Sequence, residues 1–146
     1  MYSRKKKIPR GIRNNNPLNI RIGNDWKGEV ENPTDSQFEQ FKTMTWGVRA
    51  AFIVLYNYIV RRKVNMIALI INRWAPTNEN DTLAYMKQVS KISKIGLYDP
   101  IDFYDRESMV KLFKGMCMVE NGCIIDEDDI YLGYDLVVAN RPKSKM

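Results

Sequence analysis

The residue with the clearest chemical potential is Glu120, a carboxylate at the predicted C-terminal end of a helix. The four residues before it, Met116 to Val119, are apolar. A helix C-terminus carries partial negative charge and apolar neighbours penalise an ionised group, so both effects predict a raised pKa for Glu120. A carboxylic acid that stays protonated near neutral pH can protonate the leaving oxygen of a glycosidic bond. An exposed glutamate that tolerates a small electrostatic penalty explains the same pattern equally well.

The composition excludes several other kinds of catalytic site. The chain has no histidine, which removes Ser-His-Asp and Cys-His triads and histidine-based metal sites. Its two cysteines, Cys117 and Cys123, are too few for a cysteine-only zinc site or a disulfide framework. We therefore expect no metal and no cofactor, and any chemistry must use carboxylates, hydroxyls, amides, lysines or a thiol.

An asparagine-rich segment over residues 13–21 supplies amides that could bind sugar hydroxyls and N-acetyl groups. It contains Asn14, Asn16 and Asn19. Asparagine also tolerates unusual backbone angles, and its amide satisfies local backbone groups in turns. Composition alone favours this second, structural interpretation.

A loop after a short helix combines aromatic and polar residues over positions 73–82. Trp74 and the following Tyr85 could form a stacking wall for a sugar ring, because flat aromatic faces match the C–H faces of pyranoses. Both could equally belong to the core. Glu79 is by default a solvated carboxylate, and Asp81 is best explained as a helix cap.

The elements that must position these residues are mainly helical. Apolar residues at three- and four-residue steps predict five helices, over residues 46–62, 66–74, 82–93, 106–119 and 127–138. Their predicted N-caps are Thr45, Asn65, Asp81, Asp105 and Asp126. Alternation and turn signals predict short strands over 19–23, 26–30 and 38–41, the first two paired. The fold class is therefore mainly α with a small N-terminal antiparallel sheet.

The net charge of +6 is concentrated at the two ends of the chain. Residues 1–13 hold six basic residues and no acid, residues 141–146 hold three more, and residues 14–140 carry a net charge of −3. We therefore predict a basic arm over residues 1–10, one domain over 11–138 and a basic tail over 139–146. Such ends favour solvated arms or loose attraction to a polyanion over a specific nucleic-acid site.

The N-terminal segment lacks the apolar stretch of a secretory signal, because Ile8 and Pro9 follow the basic residues directly. The longest apolar run, residues 50–60, is about half a membrane span. We expect a protein made in the cytoplasm without a membrane span, which acts at the cell wall or periplasm or within a virion and needs another component to carry it there.

Several of these segments together resemble a group of phage and prophage virion-associated proteins, whose related domains occur in peptidoglycan-degrading effectors. The resemblance covers about residues 11–138. Where that group usually has glycine after Asn-Pro, this chain has Leu18. The segments are 11–21 (GIRNNNPLNIR), 26–28 (WKG), 38–41 (FEQF), 47–50 (GVRA), 72–76 (NRWAP), 79–85 (ENDTLAY) and 120–122 (ENG).

The pattern is more distantly similar to lysozyme-superfamily glucosaminidases, in which a helix ending in Glu-Ser-Gly precedes the strands. Here Glu-x-Gly comes last, at residues 120–122, which suggests a circularly permuted lysozyme-like domain. The resemblance implies cleavage of peptidoglycan by Glu120 as general acid, as hydrolase or lytic transglycosylase. Glu29 or Glu31, or the acetamido group of the substrate, would assist at the anomeric carbon. The implied substrate-binding residues are Asn14, Asn16, Asn19, Trp26, Trp74, Glu79, Tyr85 and Asn121.

Two other functions stay open at this point. One is a non-catalytic virion structural protein or wall-binding module on the same fold, because a fold does not prove an activity. The other is a nucleic-acid binder that uses the basic tails, which the acidic body makes the weaker alternative. The expected partners are peptidoglycan glycan strands and phage virion proteins.

Overall fold

The computed structural model of the chain describes residues 7–75 and 78–144. Within these ranges the protein is all-helical, which confirms the mainly α prediction. A π-helical turn at Asn57–Arg61 follows the second helix. The α-helices are α1 (Arg10–Arg13), α2 (Met44–Tyr56), α3 (Ile67–Trp74), α4 (Glu79–Ser93), α5 (Arg106–Asn121) and α6 (Glu127–Asn140).

The predicted N-terminal sheet is wrong, and with it the predicted fold class of helices plus sheet. Between residues 14 and 43 the structure has no strand, only two isolated antiparallel bridges, Arg21 to Phe38 and Glu29 to Phe41. Both bridges reach the segment 37–42, so the expected pairing of residues 19–23 with 26–30 is also absent.

The sheet does not form because side chains hydrogen-bond to backbone groups that a β-ladder would need. The Asp35 carboxylate accepts the backbone N–H groups of Gln37 and Phe38 at 2.9 and 3.0 Å. Asn19 and Gly28 have left-handed backbone angles, with φ of 54° and 82°, which turn the chain out of extended geometry. Alternating apolar residues therefore mark a loop with single bridges, and not a sheet.

The core lies between α2, α5 and α6. Phe52 of α2 contacts the rings of Phe113 and Tyr134 at centroid distances of 4.9 and 5.3 Å. Gly133 lets α6 approach α2 closely, because a Cβ at that position would lie 2.5 Å from Cγ1 of Val48. The two helices pack along each other around this point.

The sequence predicts α5 and α6 well because their caps are local. Asp105 accepts the backbone N–H of Ser108 at 3.2 Å, and Asp126 accepts that of Asp128 at 2.9 Å, which confirms both predicted caps. Gly122 has φ of 71° and ends α5 in the left-handed conformation that closes helices. Both helices extend two residues beyond the predicted ends.

Other helix starts differ from the prediction. Helix α4 begins at Glu79 because Asn78, and not Asp81, is its N-cap. The Asn78 Oδ1 accepts the backbone N–H of Asp81 at 2.9 Å, and its Nδ2 donates to the Asp81 carboxylate at 2.7 Å. Helix α2 begins at Met44, so the predicted cap Thr45 lies inside it and donates to Asp129 at 3.0 Å. Helix α3 begins after Met66, one residue beyond the predicted cap.

The two predicted basic ends fall partly outside the described residues, which exclude 1–6 and 145–146. Helix α1, which the sequence analysis did not predict, begins at Arg10, and its guanidinium bonds to Asp35 through two contacts of 2.7 Å. At the other end α6 continues to Asn140. In the described part of the chain, no helix combines the length and the apolar character needed to cross a membrane.

Candidate functional site

Glu120 lies in the last turn of α5, half-buried between two other parts of the fold. Its Oε1 accepts a hydrogen bond from Nδ2 of Asn19 at 2.7 Å, and its Oε2 accepts one from the hydroxyl of Tyr85 at 2.8 Å. Burial raises the pKa of Glu120, and the two hydrogen bonds oppose that rise without cancelling it. The carboxyl is therefore held in place and predisposed to carry a proton.

Tyr85 reaches Glu120 from α4 and is itself buried. Burial raises the pKa of Tyr85 well above its usual range, and the charge of Glu120 adds to the effect. The phenol therefore remains a neutral hydroxyl that donates to the carboxylate. From α4, the Tyr85 hydroxyl holds the Glu120 carboxyl in position, so Tyr85 is a positioning residue.

Asn19 reaches Glu120 from the N-terminal loop, in the left-handed conformation noted above. Asn16 fixes that conformation, because its carbonyl accepts the backbone N–H of Asn19 at 3.0 Å and its Oδ1 accepts that of Ile20 at 2.9 Å. A Cβ on Gly11 would lie 2.9 Å from Oδ1 of Asn19, so only glycine at position 11 leaves room for the Asn19 side-chain amide.

Asn121 fastens the same loop to α5. Its Nδ2 donates to the backbone carbonyls of Pro17 at 2.7 Å and Cys117 at 3.2 Å. Asn121 therefore sets the distance between the loop that carries Asn19 and the helix that carries Glu120. Its amide serves the fold in this arrangement, although the resemblance implied a role in substrate binding.

A surface pocket begins at Asn19 and continues along α2 and the end of α3. Trp74 is half-buried in its wall and donates from Nε1 to the carbonyl of Leu18 at 3.2 Å. Tyr58 meets Trp74 edge to face, with ring centroids 6.0 Å apart. We call this pocket the aromatic groove, and its lining residues are Asn19, Ile20, Arg21, Val54, Tyr58 and Trp74.

The structure brings Asn19 and Tyr85 to Glu120, while Trp74 lines the groove beside Asn19 and Asn121 holds the N-terminal loop against α5. Asn14 and Asn16 are buried in the N-terminal loop. Asn14 bonds Asp35 and Gln40, and the Asn16 amide donates to two backbone carbonyls. Trp26 is half-buried against the core. Glu79 begins α4, and its side chain lies outside the described residues.

Glu29, the predicted second carboxylate, lies in a separate pocket with Glu39. That pocket is lined by residues of the N-terminal region: Ile22, Gly23, Asn24, Asp25, Glu29, Pro33 and Glu39. Burial raises the pKa of Glu39 to about 7, and the adjacent carboxyl of Glu29 adds to the rise. Glu31, the other candidate, is exposed.

The sequence analysis missed Glu39 and Tyr58. Residues two apart in an extended segment share a face, and Phe41 is 2% exposed while Glu39 is 7% exposed. The two-residue spacing of Glu39 from Phe41 therefore contained the signal for a buried glutamate. Tyr58 carried no such signal, because the π-helical turn changes the helical periodicity that would place it.

In residues 7–75 and 78–144, no three or more Cys, Asp or Glu side chains converge in a way that could hold a metal ion. The thiols of Cys117 and Cys123 are both free.

Comparison with known proteins places the chain among phage proteins. No known family model matches it. Protein P5 of Pseudoalteromonas phage PM2 is 42% identical over 117 residues, which cover 77% of this chain and 71% of P5. Identity at that level over most of both chains indicates common descent and a shared fold. The chain therefore belongs to the family of protein P5 of Pseudoalteromonas phage PM2.

Proposed function

We propose that this phage-family protein cleaves the glycan backbone of peptidoglycan, with Glu120 as the general acid. One observation carries the proposal: the Glu120 carboxyl is half-buried, its pKa is raised by that burial, and Asn19 and Tyr85 hold both of its oxygens. Such a group keeps a proton closer to neutral pH than a solvated glutamate does. The resemblance of the motifs to peptidoglycan-degrading domains supports the same substrate.

In the proposed reaction Glu120 donates its proton to the bridging oxygen as the glycosidic bond breaks. Tyr85 and Asn19 hold the carboxyl, and they stabilise the carboxylate that the transfer leaves behind. The neighbouring aromatic groove supplies Trp74 and Tyr58 for contact with sugar rings, and Asn19 joins the groove to the acid. This arrangement orients the glycan relative to the proton donor.

The charge that develops at the anomeric carbon needs a second group. In the described residues no second carboxylate bonds to Glu120, and Glu29 contacts Glu39 in another pocket. We therefore assign this role to the acetamido group of the substrate, which is an intramolecular nucleophile in some glycosidases. Glu29 then contributes to the stability of the N-terminal loop.

Clearing of a peptidoglycan suspension tests the assignment of Glu120. We expect the wild-type protein to clear the suspension and Glu120→Gln to be slower by about 10²-fold or more, since it removes the proton donor. Glu31→Gln, a change at an exposed carboxylate, is the matched control and should clear at the wild-type rate. Equal rates for Glu120→Gln and wild type would refute the acid assignment.

A second candidate function is a virion structural protein or wall-binding module without catalysis. The comparison with P5 favours this function more directly, because it shows kinship with a phage protein whose name states no enzymatic activity. Retention on insoluble peptidoglycan without release of soluble fragments, whether with reducing or with anhydro ends, would support it. In either function we propose that the protein acts at the cell wall or in the periplasm, or within a virion.

A further inference from the structure

The pocket that Glu29 and Glu39 line, which we call the carboxyl pocket, brings two carboxyl groups into contact. The backbone places them there, because Glu29 forms an antiparallel bridge with Phe41 and Glu39 lies two residues before Phe41. Long side chains at such diagonal positions of an antiparallel pair are within reach of each other. The contact therefore follows from the way in which the N-terminal loop folds.

The chain does not neutralise this pair of carboxyls within the described residues 7–75 and 78–144. No salt bridge there involves Glu29 or Glu39. In the same ranges Oε1 of Glu29 and Oε2 of Glu39 are buried and have no hydrogen-bond partner. Glu39 as a whole is only 7% exposed. Buried acceptors without a donor are costly, and a positive group between them would offset that cost.

The carboxyl pocket has room for such a group. Its volume is about 590 Å³, and the exposed residues Asn24 and Asp25 line its outer side. A water molecule occupies about 30 Å³ in the liquid, so an ion with several bound waters fits. The buried, unpartnered oxygen of Glu39 and the space beside it are separate observations that both indicate a ligand.

We propose that Glu29 and Glu39 bind a hard divalent cation in the carboxyl pocket, with Ca²⁺ as the best fit. Ca²⁺ prefers carboxylate and carbonyl oxygens and water, and its flexible coordination geometry suits a loop without strands. The pair supplies two carboxylates, and waters on the outer side of the pocket add further oxygens. Without the ion, a proton shared between the two carboxyls relieves the same repulsion, so the cation replaces that proton.

The bound ion would connect two parts of the loop that carries Asn19. The backbone N–H of Glu39 donates to the carbonyl of Ile20 at 2.9 Å, next to Asn19 in the chain. The carbonyl of Glu39 accepts from Nδ2 of Asn16 at 3.0 Å. A cation held by Glu29 and Glu39 therefore stabilises this loop, whether or not Glu120 is catalytic.

Titration of the chelator-treated full chain with CaCl₂ at about pH 8, where both carboxyls can ionise, tests the site. We expect calorimetry to show a single Ca²⁺ per chain. We also expect a Tm higher by about 3 °C or more in about 10 mM CaCl₂ than in NaCl of equal ionic strength. Glu29→Gln and Glu39→Gln each remove one charged ligand, so each should lose the Tm increase and bind Ca²⁺ about tenfold or more weakly.

The matched control is Glu31→Gln, which removes the same charge at an exposed position of the same segment. It should keep both the affinity and the Tm increase of the wild type. If Glu39→Gln does not fold, Glu29→Gln decides, because Glu29 is half-buried and its replacement disturbs the core less.

A wild-type protein with no Tm increase specific to CaCl₂ would overturn the site. An increase of equal size in Glu29→Gln would also overturn it, since the ion would then bind elsewhere on the surface. Neither readout involves peptidoglycan, so a failure of the cation site leaves the assignment of Glu120 to the clearing assay.

Discussion

Three effects set the pKa of Glu120: burial raises it, and two hydrogen bonds lower it. Burial favours the neutral carboxylic acid, while the amide of Asn19 and the hydroxyl of Tyr85 stabilise the carboxylate. The net result is a raised pKa, which means that burial outweighs two short hydrogen bonds. Removing either donor should therefore raise the pKa of Glu120 further.

Tyr85→Phe is the cleanest test of that balance, because it deletes one donor and keeps the ring in the buried site. We expect the pKa of Glu120 to rise above its wild-type value, as measured by a ¹³C NMR titration of the Glu120 side-chain carboxyl. Tyr98→Phe, at a side chain that is 73% exposed, should leave it unchanged. An unchanged or lower pKa in Tyr85→Phe would show that the hydroxyl does not stabilise the carboxylate.

At this scale the sequence predicts the direction of the pKa shift but not the partners of Glu120. The apolar residues before Glu120 already indicate burial, and in the structure the side chain is half-buried, which raises its pKa. Asn19 and Tyr85 lie 101 and 35 positions away in the chain. No local pattern specifies such contacts, because tertiary packing brings the three elements together.

At the scale of the elements, the N-terminal loop contains two carboxyl groups in contact, those of Glu29 and Glu39. The pKa of Glu39 is about 7 in the folded protein, above its ordinary value of 4.5, because of burial and the adjacent Glu29. The folded state therefore holds a proton that the unfolded state releases between these two pH values. Stability from this group is fully present below about pH 4.5 and is lost as pH rises through about 7.

Glu39→Gln should remove this pH dependence, since an amide cannot ionise. We expect the Tm of the wild-type protein to fall more between pH 5 and pH 8 than the Tm of Glu39→Gln does. Glu31→Gln serves as the control and should follow the wild type. If Glu39→Gln loses as much Tm as the wild type over this interval, the carboxyl pair does not contribute to the pH dependence.

The contact of α2 with α6 gives a second prediction about elements. A Cβ at Gly133 would meet Cγ1 and Cβ of Val48 at 2.5 and 2.8 Å and a backbone nitrogen at 3.0 Å. Gly133→Ala gains about 1 kcal/mol of helix propensity, but overpacking costs about 1–3 kcal/mol. We expect a net loss of stability in urea denaturation, whereas Gly23→Ala, which meets nothing within 4 Å, should lose little. A Gly133→Ala protein that is more stable than wild type would contradict this packing.

The helices were predictable to the extent that their ends are set by local side chains. Asp105, Asp126 and Gly122 act within one turn, so sequence alone identifies α5 and α6. The sheet was not predictable in the same way, because alternating apolar residues do not reveal that Asp35 takes the backbone N–H groups of its neighbours. The position of Glu39 two residues before Phe41 nevertheless indicated that it shares the buried face.

For the whole molecule, Asn19 links the acid to the aromatic groove, because its amide donates to Glu120 and it also lines that pocket. The sequence already shows that the excess of basic residues belongs to the chain termini and that the body is acidic. It does not show the groove, since Tyr58 lies in the π-helical turn and meets Trp74 of α3 through tertiary packing.

Kinship with P5 of phage PM2 agrees with the phage origin that the motifs suggested and leaves the activity as a proposal. A catalytic protein and a wall-binding module of this family would share the groove and differ in the use of Glu120. The distinction therefore depends on covalent chemistry, and only a measurement of bond cleavage can make it.

Release of soluble glycan fragments from purified peptidoglycan, detected as new reducing ends or as cyclic anhydro ends, by wild-type protein and by Glu120→Gln at equal concentration, tests the central claim most directly. We predict release by the wild type and by the control Glu31→Gln, and a rate lower by about 10²-fold or more for Glu120→Gln. Retention on the glycan by all three proteins with no fragments released by any of them, or equal release by all three, would contradict the assignment of Glu120 as the catalytic acid.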